Sequence, residues 1–221
     1  MAKRKLIIGE YDTALHGWTL CSWSFNPAEP VTSYIEVPGR VDGPLDGSTI
    51  LTDGDIRYGN REFHAVLECS EGTRLARKAV IAEMVNSLDG RRLNIVLPDD
   101  PTRYIVGRVH VTVDYNDLAH ASVQVTAVCE PWLYNQDETV VELIATAETQ
   151  TATLINTGRR VAVPTLTIES GDVHLRFGGS SWVLSAGVYV LPDLCLVQGE
   201  SAIEYSGAGS ITITYREAAV I

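Results

Sequence analysis

Long apolar runs are missing from these 221 residues. The longest candidate, around Val80, is broken by Glu83 and falls well short of the ~20 residues that cross a bilayer, so no membrane contact is expected. After the basic start Lys3, Arg4, Lys5, only Leu6, Ile7 and Ile8 precede Gly9 and Glu10, whereas an export signal needs an apolar stretch of about 7 to 15 residues. A soluble protein made in the cytoplasm is expected. Positive charge is scarce too. Lys and Arg total 17 against 28 Asp and Glu, and a net charge of -11 opposes any affinity that rests on neutralising phosphates, so stable nucleic-acid binding is not expected. The 4 cysteines, Cys21, Cys69, Cys129 and Cys195, show no Cys-x-x-Cys pair and no histidine at ligand spacing, which argues against zinc and for free thiols.

Catalytic patterns are equally thin. Gly-x-Ser-x-Gly is absent, and the glycine-rich stretch Ser206–Ser210 is followed by strand-like Ile211–Tyr215 rather than a helix, so it reads as a hairpin-type turn and not a phosphate cradle. Asp99 and Asp100 sit between Pro98 and Pro101, the chemistry of a turn tip, while acid/base work needs carboxylates converging from separate elements. His16, His64, His110, His120 and His174 are scattered without the spacing of a metal pair. Aromatics make up 7%, and Trp18, Trp23, Trp132 and Trp182 read as core or interface anchors rather than a sugar-stacking platform. No catalytic residue, cofactor or metal is expected.

What is present is period-two alternation. Val109, Val111, Val113 and Tyr115 fall on one face, with Arg108, His110, Thr112 and Asp114 on the other. A second run from His120 to Cys129 follows the break at 116–119, which predicts an antiparallel hairpin. Val173, Leu175 and Phe177 oppose His174 and Arg176, and Ile211, Ile213 and Tyr215 oppose Thr212 and Thr214. One segment has helical spacing: Thr73 opens it, Asp89-Gly90 closes it, and Leu75, Ala79, Ala82, Met84 or Val85, and Leu88 form its apolar stripe. Leu75, Met84 and Leu88 are expected on its buried side, with Arg74, Arg77, Lys78 and Glu83 towards solvent.

Residues 38–55 hold Asp42-Gly43, Asp46-Gly47 and Asp53-Gly54 with Pro38 and Pro44, which predicts a long irregular loop rather than a strand. Its Leu45, Ile50 and Leu51 are apolar side chains that a lone subunit leaves exposed, and they are the candidate subunit interface. A domain boundary is placed at Pro131–Asn135, where a strand is expected to end at a proline. The resulting parts, 1–134 and 135–221, carry net charges of -5 and -6. The fold class is therefore mainly β: an N-terminal β-rich domain with one α-helix at about 73–88, then a small antiparallel β-sandwich.

Read in order, several stretches resemble the distal tail proteins of siphophages. They are Gly39–Ser48, then Tyr58-Gly59-Asn60-Arg61-Glu62-Phe63, then the single helix, then Gly90-Arg91, Pro98–Pro101, Tyr104 and Gly107-Arg108, and the close Pro131-Trp132-Leu133-Tyr134. Asn156-Thr157-Gly158 before Val163–Ile168, and later Gly199-Glu200, Ile203, Gly207, Gly209 and Ile211–Arg216, resemble the family's galectin-like C-terminal sandwich. Ser201 stands where relatives usually place Asn. The resemblance implies a structural virion protein, phage or prophage, at the tail tip or baseplate. Its first domains would form a six-fold ring that lets DNA pass, with a tail tube protein on one face and a tail-associated tip protein on the other, and no cofactor. Its length leaves no room for the inserted saccharide-binding module of some relatives, so direct receptor binding is not expected. Two other readings stand beside it. A carbohydrate-binding, lectin-like sandwich would need exposed aromatics near Trp182, where Ser180, Ser181 and Ser185 are found instead; a hydrolase would need convergent acidic residues.

Overall fold

The computed structural model describes residues 5–39, 43–50, 52, 54–69, 72–114 and 121–220. The expected turn at 116–119, with Tyr115 and His120, lies outside them, as does Leu51. The chain is mainly β with one helix among the described residues, and it divides into two units, the first ending at Trp132 and the second being Leu133–Val220.

In the first unit the strands are β1 (Ile7–Ile8), β2 (Tyr11–Asp12), β3 (Thr19–Phe25), β4 (Tyr34–Ile35), β5 (Leu45–Asp46), β6 (Arg61–Cys69), β7 (Arg92–Val96), β8 (Arg103–Asp114) and β9 (Ala121–Asn135), with helix α1 (Arg74–Leu88) between β6 and β7. The main sheet runs β2-β1-β7-β8-β9-β6-β3. Alternation places Phe63, Ala65, Leu67 and Cys69 of β6 inside, level with Ala127, Val125, Val123 and Ala121 on β9. Val109 and Val111 are buried as their parity requires, and Gly107 lies where β8 and β9 approach so closely that a Cβ would stand 2.5 Å from Cys129 Sγ. β9 does not end at Pro131; it runs on to Asn135, past the proline that was expected to stop it.

Helix α1 begins where the sequence indicates. Thr73 is the N-cap, its hydroxyl accepting from Ala76 N at 3.2 Å. Its buried face differs from the expected stripe. Met84 and Leu88 are buried as expected and Ile81 joins them, but Leu75 is 77% exposed and Ala79 and Ala82 face solvent. Rows at three- and four-residue spacing reach Leu88 both from Leu75 through Ala79, Ala82 and Val85 and from Ile81 through Met84, so spacing alone offers two stripes. Burial goes to the one with the bulkier side chains, because transfer free energy scales with apolar area. The helix end is tied to β8 by Asp89, whose carboxylate accepts from Val111 N at 2.9 Å and lies 2.8 Å from His110 Nδ1.

The second unit holds β10 (Thr139–Ala145), β11 (Gln150–Asn156), β12 (Thr165–Ile168), β13 (Val173–Phe177), β14 (Ser180–Leu184), β15 (Gly187–Val190), β16 (Gly199–Gly207), β17 (Gly209–Tyr215) and β18 (Ala218–Ala219). Two antiparallel sheets, β10-β17-β12-β15 and β11-β16-β13-β14, enclose one core containing Leu154, Leu166, Val173, Ile203, Ile211 and Ile213. β18 pairs with Leu133 and Tyr134 at the end of β9. The stretch Ser206–Ser210 is a corner and not a hairpin turn: β16 belongs to one sheet and β17 to the other. The corner closes tightly, since a Cβ at Gly171 or Gly207 would overlap the carbonyl oxygens of Ala208 and Asp172. Buried Asn156 is fully engaged, donating to Arg160 O at 2.9 Å and Leu196 O at 2.8 Å and accepting from Gly158 N at 3.0 Å.

Candidate functional site

Between Pro30 and Tyr58, which are joined by an isolated bridge, the chain leaves the main sheet of the first unit. The excursion is not wholly irregular, because Tyr34 and Ile35 pair with Asp46 and Leu45. Leu45 therefore sits on a short strand rather than in a loop. Ser48 fixes the turn beyond it: Asp46 Oδ1 accepts from Ser48 N at 2.9 Å and from its hydroxyl at 2.5 Å, holding the Asp46 carboxyl below its usual range. Every residue from Val31 to Gly39 is exposed, and the exposed side chains include Tyr34 at 63%, Ile35 at 46% and Ile50 at 60%. Leu45 is 38% exposed. Contiguous exposed apolar side chains of this kind mark an interaction surface.

One charged side chain is buried among the described residues. Arg61, 3% exposed, occupies the inward row of β6 ahead of Phe63 and Ala65 and pairs in register with Cys129. Its Nε donates to Asn26 O at 2.7 Å, one Nη reaches Pro131 O at 3.4 Å, and the guanidinium lies 3.6 Å from the centroid of the Phe25 ring. Burial draws its pKa down, with the Cys129 sulfur acting in the opposite sense, and burial pushes the Cys129 thiol up to about 12. Arg61 borders a cavity of about 490 Å³ with Trp23, Phe25, Pro27, Leu97 and Asp99. The sequence signal for it was the parity of β6, in which residue 61 falls on the same face as residues 63, 65 and 67.

Elsewhere the expected chemistry is spread apart. Asp100 is used in its own turn, accepting from the Thr102 hydroxyl at 2.5 Å and from Thr102 N at 3.2 Å. Among the described residues no group of three or more His, Cys, Asp or Glu side chains is placed to hold a metal ion, and no helix is long and apolar enough to cross a membrane. His16 lies between the Tyr11 ring, stacked at 4.1 Å, and Glu83 Oε1 at 3.1 Å, where it ties α1 to the turn after β2. In the sandwich, a depression of about 310 Å³ on the face of β13 and β16 is bordered by His174, Arg176, Ser181, Trp182 and Glu204. Trp182 packs against the sandwich core, and Trp18 is completely buried in the first unit.

No family model matches the chain, and no curated protein matches it. Several solved structures match it. The Dit (gp 19.1) protein of phage SPP1, described as a paradigm of the hub adsorption apparatus in phages infecting Gram-positive bacteria, aligns over 97% of this chain and 98% of its own, with 16% identity and a TM-score of 0.65. The ethanolamine utilization protein Q of Salmonella typhimurium LT2 aligns over 86% and 96% with 12% identity, but its TM-score of 0.22 carries no shared architecture. The chain thus has the fold of a phage tail hub protein across nearly its whole length.

Proposed function

We propose that this protein is a structural component of a siphophage tail tip, a distal tail hub that joins the tail tube to the adsorption apparatus. The observation that carries the reading is the end-to-end likeness to SPP1 Dit, with almost nothing left over in either chain. The first unit builds a six-fold ring around a channel for DNA, and the second unit, a galectin-like sandwich, lies outside it. A tube protein docks on one face of the ring and a tip protein on the other. The apolar residues between Val31 and Ile50 form the subunit contact, Leu45 and Ile50 among them and Leu51 with them. Head-to-tail contacts that close into a ring leave no copy of that surface uncovered. Each copy carries -11, so association strengthens as salt screens the like charge, the Debye length being about 10 Å at 0.1 M.

Light scattering and negative-stain microscopy of the purified chain test this. A particle of six times 24.1 kDa with a central opening is the expected result. A monomer at every protein and salt concentration overturns the reading.

A further inference from the structure

We infer that the cavity beside Arg61 is a socket for the segment Tyr34–Pro38 of a second copy of this chain, with the Glu36 carboxylate meeting the Arg61 guanidinium. The inference rests on the ring reading and names both sides of its contact. The socket side begins with an electrostatic imbalance. Arg61 is buried and permanently charged, and among the described residues no carboxylate forms an ion pair with it. An isolated buried cation is costly, and two carbonyl acceptors engage only two of the five N–H donors of a guanidinium. What remains of its exposure opens into a cavity of about 490 Å³ whose other lining residues are Trp23, Phe25, Pro27 and Leu97 together with Ser24 and the exposed Asp99. This geometry fits a carboxylate carried between apolar side chains.

The chain exposes such a segment. Tyr34, Ile35, Glu36, Val37 and Pro38 are all exposed, four apolar or aromatic residues around one carboxylate. Asp46, on the paired strand, is already engaged by Ser48, whereas Glu36 forms no ion pair among the described residues. In an extended segment, residues two apart share a face about 7 Å from each other, so Tyr34 and Glu36 are presented together. Tyr34 would lie on the Trp23 and Phe25 rings while Glu36 reaches Arg61. Every copy carries one plug and one socket, so a closed ring uses each once. An ion pair drawn out of water also gives a specific attraction between subunits that otherwise repel.

The test uses the full-length protein. A photoreactive benzophenone side chain replaces Tyr34, on the face it shares with Glu36, in a mixture of heavy- and light-isotope protein, and Glu36→Gln is measured for assembly by light scattering across a dilution series. The expected results are crosslinks between heavy and light chains that map to the peptide holding Trp23–Pro27 or to that holding Arg61, and a midpoint for dissociation at least about tenfold higher in concentration for Glu36→Gln. Crosslinks within one chain or to other peptides, or an unchanged midpoint in a protein that still assembles, overturn the socket and leave the ring standing. A wild-type protein that never assembles overturns the ring, and the socket with it.

Discussion

Replacing Leu88 by alanine removes a side chain that is 1% exposed, at the end of the stripe that α1 turns towards the sheet. Its neighbours on that stripe, Met84 and Ile81, are 0% and 7% exposed, and Asp89 pins the next residue to β8, so the space left behind cannot readily close. Large-to-small changes at such sites cost about 2 to 5 kcal/mol, from lost transfer free energy plus an unfilled cavity. For a domain of this size a kcal/mol shifts the melting temperature by roughly 3 to 5 °C, so the first unit should melt roughly 6 to 25 °C lower. The control is Leu75→Ala. Leu75 is 77% exposed, and alanine is the better helix former, so this change should stay within about 0.5 kcal/mol of wild type. Differential scanning calorimetry of both variants decides the matter. Equal destabilisation by the two, or a larger loss from Leu75→Ala, would show that the buried face of α1 is the Leu75 stripe after all.

The corner of the sandwich makes a second prediction: Gly171→Ala puts a Cβ onto the Ala208 carbonyl at a backbone φ of 76°, and should lower the stability of the second unit by about 1 to 3 kcal/mol or more, read from its own calorimetric transition. Asp89 sets a pH dependence. Its bonds from Val111 N and His110 hold its folded pKa below the unfolded value of about 3.9, so its stabilisation is complete above that value and fades as pH falls through the folded pKa. Asp89→Asn should therefore flatten the loss of stability between neutral and strongly acidic pH in denaturant titrations; an unchanged acid slope would count against the contact. For the thiols, Cys21 is exposed and Cys195 partly so, while Cys69 and Cys129 are buried. Brief alkylation of the native protein should label the first pair alone and the unfolded, unreduced protein at all four; protection of Cys21 in the monomer or loss of label from the unfolded chain would contradict this.

Much of the fold was legible because alternation is a local property. A strand that is buried on one face must place Val109 and Val111 inward and Arg108 and His110 outward wherever it sits in the sheet, and the same rule marked Ile211, Ile213 and Tyr215. The cap at Thr73 was equally local, since a side-chain oxygen before an apolar run satisfies the first free N–H groups of a helix without help from the rest of the molecule. The tail-hub resemblance was carried by turn residues in order, while the end-to-end likeness to SPP1 Dit, at 16% identity, is one of fold.

Tertiary structure decided where two local answers were available. Either apolar stripe of α1 fitted helical spacing, and packing kept Met84 and Leu88 but took Ile81 in place of Leu75, Ala79 and Ala82. Pro131 read as a strand end, yet β9 continues to Asn135 and its end receives β18. Ser206–Ser210 read as a hairpin turn because flanking strands look alike in sequence whether they pair with each other or with different sheets. Arg61 is the plainest case. Parity put it on the inward face and charge argued for the outward one. The conflict was resolved by the carbonyls of Asn26 and Pro131 and by the ring of Phe25, groups brought to Arg61 from as far as 70 residues away. Hydrophobic alternation acts between neighbours in sequence and fixes the strands; the burial of a cation depends on partners distant in sequence, and only the folded chain supplies them.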